Sequence, residues 1–300
     1  MKALLAGGTG FLGWRLAEAL AGGGHEVVVL SRRETPRSLP GVRTVLWDGV
    51  GAGGWGGEVD GADAVINLAG GSVASRRWSS AQKERILKSR IEPTRALVEA
   101  IWSARRKPAV LVSASAVGYY GDVREGVVTE DSPAGSGFLA ETCERWEREA
   151  AKAREAGVRV ALMRIGIVLA RGGGALPRML LPFRLFVGGP LGKGSQWLPW
   201  VHVDDVTGAF LHALGAGDLE GPVNVTAPEP VTMEGFARAL GTVLGRPSWC
   251  RVPGALLRLV LGEMAEVVLC GQKAVPRRLL AGGYNFRHSN VLEALKAVLG

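Results

Sequence analysis

Apolar and polar positions form two different patterns along the first half of the chain. Short apolar runs predict strands, and they lie at residues 1–6, 25–30, 42–47, 63–70, 109–115 and 158–168. Longer stretches with one apolar face predict helices, and they lie at residues 14–20, 76–104 and 136–156. We expect Pro93 to interrupt the second of these helices. Strands that alternate with helices in this way predict an α/β fold with a doubly wound parallel sheet.

The pattern changes after Arg171, where a segment rich in glycine and proline shows little alternation of strands and helices. Further elements are predicted beyond it, namely a strand at 200–206, a helix at 207–214, a strand at 223–225, and helices from 232 onward and at about 253–269. We expect this second half to form a smaller lobe over the carboxyl ends of the strands, where open α/β sheets bind ligands.

A glycine-rich turn, GGTGFLG at 7–13, joins the first strand to the first helix. Gly7 lets the chain turn sharply, Gly10 lacks the β-carbon that would hold a diphosphate off the backbone, and Gly13 allows close helix packing. The free amides and the positive end of the helix dipole favour an anion here. The turn therefore predicts a dinucleotide site, with a βα turn that binds no ligand as the alternative.

The residues after the second strand bear on the choice of cofactor. A site that prefers NAD places an acid about 20 residues after the glycine turn, where it binds the ribose 2′-hydroxyl. This chain has Ser31-Arg32-Arg33 at that point. A hydroxyl and a guanidinium suit a 2′-phosphate, which predicts NADP(H). The alternative is a loop with two solvated arginines.

Composition places the chain among folded globular proteins, since 47% of its 300 residues are hydrophobic and 21% are charged. The net charge of +8 comes from scattered basic residues, which argues against a nucleic-acid partner. No apolar run reaches the length of a membrane span, and charges at Arg15 and Glu18 argue against a secretory signal. We expect a cytoplasmic protein with a small-molecule substrate and no membrane partner, and a homodimer is left open.

Cysteine and histidine usage predicts neither a disulfide framework nor a metal site. The cysteines are odd in number and far apart, at Cys143, Cys250 and Cys270, as is typical of a reducing compartment. The histidines have no ligand spacing with these cysteines, and they stand at 25, 202, 212 and 288. We therefore predict that the protein holds no metal.

Several segments together resemble the extended short-chain dehydrogenase/reductase superfamily. They are GGTGFLG at 7–13, NLAG at 67–70, SASAVGYYGD at 113–122 and WVHVDDV at 200–206. A branch of epimerase-family proteins with a C-terminal domain of unknown function is closer still. That likeness rests on RRW at 76–78, KSR at 88–90, TEDSP at 129–133, PLGKGSQWLPWVHVDD at 190–205 and GQKAVPRRLLAGGYNF at 271–286.

The resemblance covers essentially the whole chain, and it implies a Rossmann-like doubly wound sheet with a smaller C-terminal α/β lobe. We divide the chain into an NADP-binding domain, at 1–170 plus roughly 200–226, and a substrate-side lobe, at 171–199 and 227–300.

The resemblance also implies which residues contact the cofactor. Those along the diphosphate would be the residues of the turn, Gly7, Thr9, Gly10, Phe11, Leu12 and Gly13. The 2′-phosphate would meet Ser31 and Arg32, the adenosine side Leu68, Ala69 and Gly70, and the nicotinamide half Val168. Arg90 stands where many relatives carry an asparagine of a proton relay. We assign Arg90 to the cofactor, with an exposed helix arginine as the alternative.

The superfamily's chemistry uses a tyrosine, a lysine four residues later and a serine. Ser115 stands at the position of the serine, but no tyrosine lies between Tyr120 and Tyr284 and no lysine between Lys107 and Lys152. The Tyr-x-x-x-Lys pair is therefore absent. We take Ser115, Tyr119 and Tyr120 as candidate catalytic residues, with core packing as the alternative for the two tyrosines.

Three other polar residues have ordinary structural interpretations. Glu141 could act as a base if it were buried, but its helix favours a solvated side chain. Trp146-Glu147 is typical of a helix packing on a sheet, and Asp205 before a helix predicts an N-cap.

Two functions follow from these residues. The first is an NADP-dependent enzyme of the epimerase or reductase type, acting on a small polar, sugar-like substrate. The second is an NADP(H)-binding sensor or regulatory protein without catalysis, which the missing tyrosine–lysine pair favours.

Overall fold

The structure is a computed structural model that describes residues 1–34 and 39–300. Its strands are β1 (Lys2–Ala6), β2 (Glu26–Ser31), β3 (Val42–Leu46), β4 (Ala64–Asn67), β5 (Val110–Ala116), β6 (Val123–Val128), β7 (Arg159–Ile165), β8 (Ile167–Ala170), β9 (Gly173–Gly174), β10 (Trp197–Leu198), β11 (Trp200–His202), β12 (Gly221–Val225), β13 (Val231–Thr232) and β14 (Gln272–Ala274). Its α-helices are α1 (Phe11–Gly22), α2 (Ser80–Ser103), α3 (Phe138–Ala151), α4 (Leu176–Arg184), α5 (Val203–Gly215), α6 (Met233–Leu244), α7 (Gly254–Leu261), α8 (Glu266–Leu269), α9 (Arg277–Ala281) and α10 (Val291–Leu299).

Seven of these strands form one parallel sheet, in the order β3-β2-β1-β4-β5-β7-β12. The chain builds outward from β1 in one direction and from β4 in the other. The order therefore reverses between these two strands, and their carboxyl ends leave a crevice of the kind in which such sheets bind ligands. The predicted doubly wound, Rossmann-like α/β fold is confirmed.

The sheet is covered on both faces, because its strands are apolar at successive positions. Leu5 and Val29 point to one side, where they share a core with Leu16 of α1 and Phe210 of α5. Leu4 of β1 points to the other side, where the neighbouring core includes residues of α2. Each fully buried leucine contributes about 2 kcal/mol, so both layers hold the strand ends firmly in place.

A third core lies in the second half of the chain, where α4, α6 and α10 pack together. It contains Phe183, Phe236, Leu240 and Leu295. Short strands outside the main sheet also pair: β8 pairs with β9 and β11, β10 with β13, and β14 with β6. Within the described ranges, no helix is both long and apolar enough to cross a membrane.

Two predicted elements differ from the structure. The strand predicted at 158–168 divides at Gly166, where a β-carbon would lie 2.2 Å from the carbonyl oxygen of Pro199. The chain therefore leaves the main sheet, and β8 pairs with β11 instead. The helix predicted to break at Pro93 continues through it as α2, because one lost backbone hydrogen bond costs less than the burial of the surrounding residues provides.

Candidate cofactor and substrate site

The glycine turn packs so closely that side chains are excluded at two of its positions. Gly7 has a φ of +77°, and a β-carbon there would lie 2.6 Å from the carbonyl oxygen of Leu68. A β-carbon at Gly13 would lie 2.2 Å from the carbonyl oxygen of Gly7. The start of α1 is therefore held against the ends of β1 and β4.

Gly10 is exposed and serves as the N-cap of α1. No side chain caps this helix, and its first turn contains no acid. The positive end of the helix dipole therefore faces open space, where an anion is favoured. Leu12 and Leu68 pack against the core beneath the turn, while Phe11 contacts Gly173, at which a β-carbon would lie 2.5 Å from the ring.

Asn67 fixes the segment that faces the turn. Its Nδ2 donates to Thr94 Oγ1 at 2.8 Å and to Ser113 Oγ at 3.2 Å, and its Oδ1 accepts from the backbone amide of Ala69 at 3.1 Å. The side chain is fully buried. Asn67 thus positions Leu68 and Ala69, and its signal in the sequence is the single polar residue at the end of the apolar β4.

Thr9, Ser31, Arg32 and Arg33 line one cavity of about 520 Å³ at the carboxyl end of β2. Ser31 Oγ donates to the carbonyl oxygen of Arg33 at 2.7 Å, which shapes the loop. Both arginine side chains are exposed, and neither forms an ion pair with a carboxylate in the described part of the chain. The cavity thus brings Ser31 and Arg32, predicted at the 2′-phosphate, together with Thr9, predicted along the diphosphate, and adds Arg33.

Arg90 lies between the segment that follows β4 and a second cavity. Its Nη2 donates to the carbonyl oxygen of Gly71 at 3.0 Å, and its Nη1 donates to that of Ile86 at 3.0 Å. Its guanidinium lies 5.3 Å from the centre of the Trp146 ring, and its side chain packs against Gly70. Burial lowers the pKa of Arg90. The alternative of an exposed helix arginine does not describe this half-buried, hydrogen-bonded side chain.

The second cavity measures about 820 Å³ and lies beyond the carboxyl ends of β5 and β7. Its lining includes Arg90, the start of α3, and residues 116–118, 120–121 and 165–167. Val168 follows directly in β8 and packs half-buried against the core. Cys143 also lines the cavity; burial, reinforced by the charge of Glu147, raises the pKa of its thiol to about 11. This cysteine is therefore protonated at neutral pH and a poor nucleophile.

The structure does not bring the three candidate catalytic hydroxyls into this cavity. Ser115 is buried outside its lining, and its Oγ donates to Glu147 Oε1 at 2.6 Å. Tyr120 lines the cavity, but its hydroxyl donates to Asn224 Oδ1 at 2.6 Å, and burial raises its pKa to about 12. Tyr119 is outside the lining. The predicted catalytic roles therefore gain no support from the geometry.

The physical reason is a buried ion pair between Arg164 and Glu147. Arg164 Nε and Nη2 donate to the two carboxylate oxygens of Glu147, each at 2.8 Å, and Nη1 donates to the Tyr120 hydroxyl at 2.9 Å. The guanidinium lies 3.5 Å from the centre of the Tyr119 ring. Burial alone would lower the pKa of Arg164. The hydrogen bonds that its guanidinium donates to Glu147, and the negative charge of Glu147, have a larger effect and raise that pKa. The Ser115 hydroxyl donates to Glu147 and so belongs to the same buried group.

The prediction that Asp205 caps a helix is wrong. The N-cap of α5 is His202, whose Nδ1 accepts from the backbone amide of Asp204 at 3.1 Å. Asp205 lies in the first turn of the helix, where its carboxylate accepts from the backbone amides of Arg287 at 2.7 Å and His288 at 3.0 Å. A buried carboxylate thus anchors the C-terminal segment, a contact that joins residues remote in sequence.

One group of side chains is relevant to the prediction that the protein holds no metal. Ligand atoms of His202, Asp204 and His288 lie within 4.8 Å of one another. The two imidazole rings stack with their centres 3.7 Å apart, and Arg15 forms an ion pair with Asp204 at 3.3 Å. A guanidinium on the carboxylate disfavours a cation there, and the absence of a metal stays a prediction.

Comparison with protein families identifies two matching segments. Residues 3–226 match the NAD dependent epimerase/dehydratase family, and residues 252–298 match a domain of unknown function. A relative from Arabidopsis thaliana, the chloroplastic "epimerase family protein SDR39U1 homolog", is 43% identical over 100% of this chain and 87% of its own.

Two solved structures are similar over the entire chain. The human epimerase family protein SDR39U1, crystallised with NADPH, has a TM-score of 0.91 at 38% identity and 99% coverage of both chains. A Corynebacterium glutamicum nucleoside-diphosphate sugar epimerase has a TM-score of 0.79 at 33% identity, covering 100% of this chain and 58% of that one. The resemblance inferred from the sequence is confirmed: the chain belongs to the NAD-dependent epimerase/dehydratase family.

Proposed function

We propose that this protein binds NADP(H) and acts as an epimerase- or reductase-type oxidoreductase on a small molecule held in the 820 Å³ cavity. The observation that carries the proposal is the arginine pair at the end of β2. Arg32 and Arg33 line one cavity with Thr9 and Ser31, and no carboxylate of the described residues pairs with them. A phosphate is the group that such a cluster suits.

The remaining contacts fit a dinucleotide that extends from this cluster. Gly7, Gly10 and Gly13, with Phe11 and Leu12, would hold the diphosphate at the uncapped start of α1. The bound nicotinamide would supply or accept hydride. NADPH in the human relative supports the same cofactor here.

The adenosine side would lie along Leu68, Ala69 and Gly70, which Asn67 and Arg90 hold in place. Val168 would meet the nicotinamide half, since the neighbouring residues 165–167 line the larger cavity. Arg90 contacts both the cofactor segment and this cavity, so it supplies positive charge where the two meet.

Arg32→Ala tests the cofactor assignment. We expect NADPH binding to weaken by about 1–3 kcal/mol, because one charge-assisted contact to the 2′-phosphate is lost, and NADH binding to change little. Isothermal titration calorimetry measures both. Arg105→Ala is the control, since that exposed arginine precedes the amino end of β5, away from the carboxyl ends of the strands that form the proposed site. Equal losses for NADPH and NADH would contradict the role of Arg32.

A second function, an NADP(H)-binding sensor without catalysis, is favoured by the hydroxyls of Ser115 and Tyr120. Both hydroxyls are bound to buried partners, so neither offers a proton to a substrate in the cavity. Following the absorbance of NADPH across a panel of carbonyl compounds and sugar nucleotides separates the two functions. Because an epimerase regenerates its cofactor, the sugar nucleotides are also analysed for epimerised product by NMR. Net NADPH consumption or an epimerised product excludes the sensor, and neither result with NADPH binding retained excludes the oxidoreductase.

A further inference from the structure

We propose that the large cavity accepts an uncharged, mostly apolar carbonyl compound rather than a nucleotide-activated sugar. This inference rests on the proposed oxidoreductase function for the reacting group, and it replaces the polar, sugar-like substrate expected from the sequence. It follows from the charges, the polar groups and the walls of the cavity.

The charges that line the cavity do not suit a diphosphate. Arg90 is its one cationic residue among those described, whereas Asp122 and Glu266 contribute two carboxylates. Two of the Arg90 nitrogens already donate to backbone carbonyls. A nucleotide sugar carries about two negative charges, which would face these acids and lose their hydration without enough cations to replace it.

Two cations near the lining already have acidic partners. Lys83 lies 5.4 Å from the centre of the Phe138 ring, but its Nζ forms an ion pair with Glu263. Arg124 pairs with Asp122 at 3.0 Å. Neither side chain is therefore free to neutralise a diphosphate at the mouth of the cavity.

Three polar side chains of the cavity are bound to other protein groups, which disfavours a sugar ring. Thr142 Oγ1 donates to the carbonyl oxygen of Phe138 at 2.7 Å, and Trp146 Nε1 donates to Thr94 Oγ1 at 2.9 Å. Gln272 Nε2 donates to the carbonyl oxygen of Val117. A ring with several hydroxyls would leave many of them unpaired, each at a cost of about 1–3 kcal/mol.

Apolar side chains form most of the remaining wall. Phe138 and Leu139 come from the start of α3, Val128 from the end of β6, and Ile165 and Ile167 from either side of Gly166. Surfaces of this kind gain binding energy by burying hydrocarbon. The remaining N–H groups of Arg90 offer one polar contact, which suits a single carbonyl oxygen.

Titration calorimetry with two probes, 4-phenylcyclohexanone and UDP-glucose, tests this inference on the full chain with and without NADPH. We expect the ketone to bind at least about tenfold more tightly than UDP-glucose in both states. Tighter binding of UDP-glucose, or binding of neither probe, would overturn the inference.

Leu139→Gln supplies the matched variant, because it places an amide on the apolar wall. We expect about a fivefold loss of ketone affinity, while Leu280→Gln, at an exposed leucine outside the cavity, changes nothing. If Leu139→Gln fails to fold, the relative affinities of 4-phenylcyclohexanone and UDP-glucose for the unmodified chain still distinguish the two substrate classes. NADPH binding is measured separately, and a failure to bind NADPH would reject the proposed function. Ketone binding measured without NADPH would still test the substrate class.

Discussion

Glu147 and Arg164 set the directions of the polar side chains beneath the cavity. Glu147 is 7% exposed and Arg164 3% exposed, so their charges are removed from water. The pair also binds the hydroxyls of Ser115 and Tyr120. Polar groups that a sequence comparison would assign to chemistry are instead held inside a structural network.

Glu147→Gln is therefore expected to destabilise the protein by about 3–5 kcal/mol, because it leaves the Arg164 charge buried without its partner. Urea unfolding followed by circular dichroism measures this free energy. Glu144→Gln on the same helix is the control. Its ion pair with Arg148 is exposed, so about 0.5 kcal/mol or less is expected. Equal effects of the two variants would contradict a structural role for Glu147.

At the scale of residues, a role was predictable from the sequence when the residue's partners lie close to it along the chain. Gly7, Gly13 and Arg32 are recognisable because their neighbours in sequence are also their neighbours in space. Asn67 and Glu147 were not recognised as positioning residues, because their partners Thr94 and Ser115 are brought near only by the fold. The contacts of individual residues with the cofactor stay predictions.

At the scale of elements, the turn and α1 work as one unit that leaves the helix start open to an anion. The unit depends on the close approach of Gly13 to the Gly7 carbonyl. The first turn of α1 carries no acid that would compete with a bound phosphate. Cofactor affinity and local packing are therefore expected to change together.

Gly13→Ala tests this link. The added β-carbon would lie 2.2 Å from the Gly7 oxygen, so backbone must move, and we expect about 1–3 kcal/mol of destabilisation with weakened NADPH binding. Thermal unfolding and calorimetry measure the two effects. Gly22→Ala, at the end of the same helix with open space around it, should be neutral or stabilising by up to about 1 kcal/mol. Unchanged NADPH binding in Gly13→Ala would contradict a link between the packing of the turn and cofactor affinity.

The strands of the main sheet were predictable because strands buried on both faces are continuous apolar runs. The separate two-stranded sheet of β6 and β14 was not predictable, since β6 is largely exposed and its partner comes from the far end of the chain. The break at Gly166 was also missed. An apolar run has the same appearance whether or not the chain changes sheets, and only the contact with Pro199 reveals the change.

At the scale of the whole molecule, the C-terminal segment is tied to α5 beside the glycine turn. Tyr284, Arg287 and His288 contact the Asp205 carboxylate, and the His288 ring stacks on His202. The division into domains, a homodimer and a cytoplasmic location stay predictions. The third core and these tertiary contacts join residues that no local pattern connects.

The stability of this junction should depend on pH through His202. Burial lowers the pKa of His202, the charge of His288 and of Arg15 lowers it further, and Asp204 and Asp205 oppose the change. The folded state therefore favours the neutral ring. Its contribution is present above the unfolded pKa of about 6.5 and is lost as the pH falls below that value, by up to about 1.4 kcal/mol per pH unit.

Urea unfolding between about pH 7.5 and about pH 5.5 measures this slope. His202→Asn keeps a residue that can cap α5 but removes the titrating ring, so we expect a smaller loss of stability in acid. An identical pH slope in His202→Asn and the unmodified chain would show that other groups are responsible.

A crystal structure of the protein with NADPH tests directly whether the arginine pair holds the 2′-phosphate. We expect the 2′-phosphate to lie within about 3 Å of the Arg32 guanidinium, the diphosphate to lie along residues 7–13, and the nicotinamide to open onto the 820 Å³ cavity. A 2′-phosphate in solvent, or a nicotinamide outside that cavity, would contradict this expectation.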